Sequence, residues 1–241
     1  GYTPESLPFY FFNAAVELVG FDDEMAHMLS NELNVDADFV TFQYETLADQ
    51  LNRGEFDIAM SGISMSTSRI EALNFSDPYL ELTVALIVRD HRRNEFLDLE
   101  SIRKIEGLTI AIVKDKSYVQ RIEELLPRVE VIELESNREF FERNAGNWDA
   151  LITNAEAGSA WTLMYPQYTV IIPKPNVATF PLGYAVAKGN QDLLNFLNNW
   201  IQIKKNGTQM KAAYNFWILG RGAVPKQPRW SVIRNVLKWV K

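Results

Sequence analysis

Strand-length apolar runs alternate with amphipathic helical segments along most of this chain, in two series parted by a polar stretch. In such an alternation each strand has a helix beside it in sequence to cover one face, which is the pattern of an α/β protein with mainly parallel sheets. In the first series Met25, Met28, Leu29 and Leu33 form one stripe of a helix that Asp22 or Asp23 can cap. A strand over 38–42, a helix over 45–52 stopped by Gly54, and strands over 56–60 and 83–89 follow. Beyond the polar stretch, the second series predicts strand 109–113, helix 117–126, strand 129–134, helix 138–143, strand 150–153 and a helix over 154–165. A late strand over 182–187 and helices over 191–205 and 208–217, either side of Asn206-Gly207, complete the pattern.

At 241 residues and 47% hydrophobic, the chain can bury a core as one large domain or two small lobes. No apolar run approaches the roughly 20 residues that span a bilayer, and the longest, such as 82–88, have strand length. The absence of cysteine excludes disulfides, thiol nucleophiles and thiolate metal sites. A net charge of -7 argues against nucleic acid as a partner. That charge is uneven: after Asp192 come nine Lys or Arg and no acidic residue. Either this segment packs on an acidic body, or it contacts a membrane surface or a partner protein. No signal peptide heads the chain, which opens at Gly1-Tyr2 close to an apolar segment; the expectation is of a chain trimmed of its targeting segment and a first strand.

Several enzyme signatures are missing. There is no phosphate loop ending in Gly-Lys-Ser/Thr, and Ser61-Gly62-Ile63-Ser64-Met65-Ser66 lacks the second glycine of a nucleophile elbow. The two histidines, His27 and His91, read as surface or packing residues, and no His or carboxylate group has metal-ligand spacing. Neither metal nor cofactor is expected.

The informative stretch runs Gly54-Glu55-Phe56-Asp57-Ile58-Ala59-Met60-Ser61-Gly62-Ile63-Ser64-Met65-Ser66-Thr67-Ser68-Arg69, with Asn74-Phe75-Ser76-Asp77-Pro78-Tyr79 just after it. Together these segments resemble the family-3 extracellular solute-binding proteins, the polar amino-acid receptors of uptake systems. Leu7-Pro8-Phe9-Tyr10-Phe11 is similar to the family's first pocket loop, and Gly20-Phe21-Asp22 to its helix start. Further on, Gly107-Leu108-Thr109-Ile110-Ala111-Ile112 and Trp148-Asp149-Ala150-Leu151 resemble second-lobe strands. Tyr184-Ala185-Val186-Ala187-Lys188-Gly189-Asn190 resembles the return crossing, and Gly207-Thr208 a late helix turn.

The resemblance implies a two-lobed periplasmic-binding architecture of type 2 with two hinge-crossing strands. Lobe one would comprise 1–87 and 186–241, and lobe two 88–185. It implies an extracytoplasmic, monomeric binding domain that closes on a small carboxylate ligand, an amino acid or related acid, for a membrane transporter. Arg69 would hold the carboxylate in its planar fork, although without the resemblance it reads as a surface ion-pair partner of Glu71 or Asp77. Ser61, Gly62 and Ser64 would form the ligand loop, and Ser66 or Thr67 would cap the helix that carries Arg69. Tyr44 takes the place of an aromatic that packs on the ligand, or is a half-buried core tyrosine. Ser117 takes the place of a hydroxyl donor, or is a plain helix cap.

The match breaks at the ligand's amino end. Only Glu5 could serve as the acid before the first Pro-Phe, and Asn154 stands where the family usually has Asp. Either Glu156 supplies the missing charge, or the ligand is not an ordinary α-amino acid; Lys114 and Lys116 could answer an additional acidic group. The region 217–239 resembles segments of binding domains fused to secondary transporters of the dicarboxylate symporter type, which would make the partner a fused membrane domain. The alternatives are a sensor domain of a membrane receptor or kinase, a binding module of a peptidoglycan lyase, and a dehydratase of cyclohexadienyl acids or arogenate with Glu156 as general acid.

Overall fold

A computed structural model describes residues 1–4, 6–13, 15–114, 122, 126–143, 147–175 and 179–221. The strands are β1 (Phe11–Phe12), β2 (Leu18–Val19), β3 (Ile58–Ala59), β4 (Asn74–Phe75), β5 (Leu80–Arg89), β6 (Thr109–Val113), β7 (Glu130–Leu134), β8 (Ala150–Asn154), β9 (Tyr168–Ile171), β10 (Thr179–Leu182) and β11 (Ala185–Val186). The helices are α1 (Phe21–Leu33), α2 (Leu47–Asn52), α3 (Thr67–Ala72), α4 (Leu99–Ile102), α5 (Asn137–Arg143), α6 (Ala155–Met164), α7 (Gln191–Asn206) and α8 (Gln209–Ala213).

Two main sheets organise the chain. In the smaller, β11 lies between β3 and β4 and runs antiparallel to both. In the larger, β6 pairs in parallel with β7 and β8, while β5 pairs antiparallel with β8, β9 and β10. The expected predominance of parallel pairing therefore holds only around β6. Elsewhere β5 and β11 each run against all of their neighbours, so those pairs are antiparallel.

Buried side chains gather around each sheet separately. Phe21, Met25, Leu29, Leu197, Trp200 and Ile201 pack from α1 and α7, and Phe42, Leu47, Leu51 and Leu73 form a second cluster beside β3 and β11. Both clusters draw on the two ends of the sequence. Around the larger sheet, Ile102, Leu108, Ile110 and Ile112 fill one face, and Phe140, Leu151, Trp161 and Tyr168 the other. Strand β5 serves both regions: Leu82 packs with Leu182 in the first, Leu86 and Val88 in the second. It and its partner β10 are thus the two passages of the chain between them.

Several local expectations change. No strand forms over 38–42; Thr41 makes only a single bridge to Tyr2, because Pro4 has no N–H with which to extend the ladder. The late strand divides at Gly183 into β10 and β11, and the helix after α8 widens into a π-type turn over Tyr214–Ile218. Neither Asp22 nor Asp23 caps α1: its N-cap is Gly20, which takes a φ of 147° beside Phe9, and Asp22 turns into the core. Of the four described cations after Asp192, Lys204 and Lys205 meet the body, while Lys211 and Arg221 are exposed. Lys204 is buried in an ion pair with Glu32, and Lys205 donates to the Pro78 carbonyl at 2.6 Å. The helix expected over 117–126 and the apolar stripe of 232–240 lie outside the described residues, apart from Ile122 and Leu126.

Candidate functional site

A cleft of about 540 Å³ opens between the two regions. Leu82, Val84 and Phe180 of β5 and β10 line it where the chain passes across. One wall comes from Thr3, Pro4, Ser6, Phe9, Tyr44, Gly62, Ser64 and Arg69. The other comes from Ile112, Val113, Lys114, Glu135, Ser136, Asn137, Ile152, Thr153 and Asn154. These second-wall residues sit at the carboxyl ends of β6, β7 and β8, where open parallel sheets receive their ligands.

Arg69 is the organising cation of the first wall. The Ser66 side chain caps α3 by accepting from the Arg69 N–H at 3.4 Å, so the arginine leaves the first turn at a set angle. Its Nη1 donates to the Ser64 carbonyl at 2.9 Å and to Ser64 Oγ at 2.6 Å. The guanidinium carbon stands 4.9 Å from the centre of the Tyr44 ring. A planar guanidinium braced on one edge and stacked on an aromatic face is suited to holding a carboxylate, because little side-chain freedom remains to be lost on binding.

Gly62 stands beside this group in a conformation that side chains disfavour, at φ +61°. A Cβ there would come within 2.5 Å of the Phe9 ring. The glycine lets the loop pass tightly over Phe9 while presenting bare backbone to the cleft.

Tyr44, Gly62, Ser64, Arg69 and Asn154 thus line one cavity. Ser61 does not line it: fully buried, it accepts from the Thr3 N–H at 3.0 Å and shares a hydrogen bond with the Thr3 hydroxyl at 2.9 Å, anchoring the first pocket loop. Glu156 is likewise not among the lining residues. Its carboxylate accepts weakly from the Thr83 N–H at 3.4 Å, and burial pushes its pKa up. Its charge also adds to the burial that pushes the Tyr214 phenol up. Glu5, Lys116 and Ser117 lie outside the described residues.

At Asn154 the side chain already has work: its Oδ1 caps α6 by accepting from the Ala157 N–H at 2.7 Å. Lys114 pairs with Glu135 on the same wall. Glu45 and Glu135 are the carboxylates among the described lining residues, both exposed. Sequence reasoning missed Glu135, Ser136, Asn137 and Phe180. The first three could have been found from their position just after β7, at the carboxyl end of a parallel strand.

Two sheets joined by paired crossing strands, with a cleft between them and a braced arginine on one wall, define the two-lobed periplasmic-binding architecture of type 2. The chain belongs to the bacterial extracellular solute-binding proteins, family 3, which it matches over residues 1–220. It is 26% identical over 209 residues to ABC transporter arginine-binding protein 1 of Escherichia coli strain K12, covering 85% of this chain and 84% of that protein. The crystal structure of an ancestral amino acid-binding protein, described as a precursor of cyclohexadienyl dehydratase, matches with a TM-score of 0.78 and 28% identity, covering 90% and 94% of the two chains. A binding component of an ABC transporter from Wolinella succinogenes DSM 1740, complexed with lysine, has the same fold, with a TM-score of 0.84 and 24% identity over 94% of this chain and 97% of that one.

Proposed function

We propose that this domain captures a small solute bearing a carboxylate, an amino acid or a close relative, and closes its two lobes around it for delivery to a membrane transporter. The observation that carries this reading is Arg69 held by Ser64 over Tyr44 inside a cleft whose opposite wall belongs to the other sheet. A carboxylate set on Arg69 loses water, and only the closed state surrounds it with donors from both walls. Binding energy therefore draws the open ensemble toward the closed one. The names of the relatives, which include binders of arginine, histidine and glutamine, favour an amino acid or near relative as cargo.

Binding is favoured over catalysis by the relatives, which are mainly binding proteins by name.

Two measurements test the proposal. Small molecules released by denaturing the purified domain, identified by mass spectrometry, should include a carboxylate that rebinds the refolded protein. Calorimetry on Arg69→Ala should show affinity for it reduced by about 100-fold or more, since a desolvated carboxylate is left unpaired. Unchanged binding by that variant would remove Arg69 from the site.

A further inference from the structure

Beneath the ligand loop lies a carboxylate that no binding step uses. Asp22, in the first turn of α1, is fully buried and makes no ion pair among the described residues; it takes three hydrogen bonds from uncharged donors. Its Oδ2 accepts from the Gly62 N–H at 2.6 Å and from the Tyr79 hydroxyl at 2.8 Å, and the Tyr184 hydroxyl donates to Oδ1 at 3.3 Å. The tyrosine rings stack on each other at 4.2 Å, and Tyr79 stacks on Phe21 at 6.1 Å. Burying a carboxylate without a cation is costly, so a site that keeps one gains something the apolar alternative lacks.

The three donors are what connects it to function. Gly62 is the cleft residue whose positive φ, open to glycine, exposes backbone beside Arg69 and Ser64. Tyr79 immediately precedes β5, and Tyr184 immediately precedes β11, just after β10 ends. One carboxylate therefore ties the ligand loop to the chain where it leaves for the second lobe and where it returns.

We infer that Asp22 is a positioning residue for ligand capture: it holds Gly62, and with it the Ser64–Arg69 face of the cleft, in register with the two hinge strands. This rests on the proposed binding role of that face. A proton on Asp22 weakens the acceptor that holds Gly62, so the capture-competent loop belongs to the ionised form. Burial raises the Asp22 pKa to about 7, within reach of ordinary conditions. The groups facing it are the Tyr10, Tyr79 and Tyr184 phenols, all pushed up by burial, whereas its neighbour Asp23 pairs with His27 at 3.8 Å one turn along α1.

The test has two readouts. The first is amide hydrogen exchange at Gly62 in the ligand-free protein, which needs no ligand. Wild type should protect this amide more strongly at pH 8 than at pH 6, after correction for intrinsic exchange, while Asp22→Asn should lose the protection and its pH dependence. The second is calorimetry with the tightest binder among L-arginine, L-histidine, L-glutamine and succinate. Wild-type affinity should fall about tenfold from one pH unit above the titration to one below, as the competent fraction falls. Asp22→Asn should bind at least tenfold more weakly than wild type at pH 8, with a flat profile. If Asp22→Asn does not fold, Tyr79→Phe serves: it removes one hydrogen bond that favours the charged form, so the midpoint of Gly62 protection should move to higher pH. A folded Asp22→Asn with wild-type Gly62 protection, or a Tyr79→Phe with an unmoved midpoint, overturns the inference. Undiminished binding by Arg69→Ala would instead strike the functional proposal, leaving the exchange readout to decide the role of Asp22.

Discussion

Asn154 is the residue at which ligand choice is most exposed to test. Its Oδ1 accepts from the Ala157 N–H, so it brings no charge to an ammonium and its amide hydrogens remain to meet an acceptor. A ligand with a second carboxylate or a neutral polar group should therefore bind better than a plain α-amino acid. Asn154→Asp should tighten a plain amino acid and weaken a dicarboxylate by like-charge repulsion, a reversal measurable by titrating both variants against one panel. Submicromolar binding of a common amino acid by wild type would contradict this. Asp22 carries a separate prediction for folding. Its folded pKa of about 7 lies above the ordinary 3.8, so between those values the native state holds the proton that the unfolded state has lost. Its contribution is stabilising below that window and declines as pH rises through it, by up to about 1.4 kcal/mol per pH unit. The urea midpoint of Asp22→Asn relative to wild type should shift in the variant's favour from pH 5 to pH 7.5. At this scale the sequence was legible where contacts are local. Ser64, Ser66 and Arg69 contact one another across at most five positions, so their arrangement follows from a loop and one helical turn. Asp22 was misread as a cap because its partners, Gly62, Tyr79 and Tyr184, lie far along the chain.

Among the elements, the ligand loop before α3 and the strand pair β5–β10 matter most. Gly62 ties the loop to its surroundings through φ +61° and the absence of a Cβ against Phe9. Gly62→Ala should therefore cost more than an ordinary surface substitution, roughly 1–3 kcal/mol, and reduce affinity in step, as calorimetric unfolding and ligand titration would show. Element boundaries were legible where apolar runs are continuous: strand 109–113 appears at its predicted limits. They were not legible for β1, β2 and β4, two-residue strands too short to show any alternation, whose pairing depends on tertiary neighbours. Predicted strand 182–187 failed for a different reason. Gly183 interrupts it where the chain leaves one sheet for the other, and a run of apolar residues does not show which sheet each half will join.

For the whole molecule, the paired crossings predict a hinge. Solution scattering with saturating ligand should give a smaller radius of gyration than without it, and identical curves under confirmed binding would count against closure. Incubation with prephenate or arogenate should leave both at background; rapid loss abolished by Glu156→Gln would instead restore the dehydratase reading. The crossings also bear on how the chain comes together in time. The larger sheet is assembled from one continuous stretch, whereas β3 and β4 have no strand between them until β11 arrives, with Ala59 and Phe75 both waiting for Ala185. Closing that long loop carries an entropic cost before any pairing rewards it. During synthesis β3 and β4 stay without their shared partner while the strands between them and β11 pair, so β6, β7 and β8 should gain exchange protection before β3 and β4 in a pulse-labelled refolding experiment. A chain built this way leaves β3 and β4 open to misassociation for longest, and the moment of greatest risk ends when β11 slides between them.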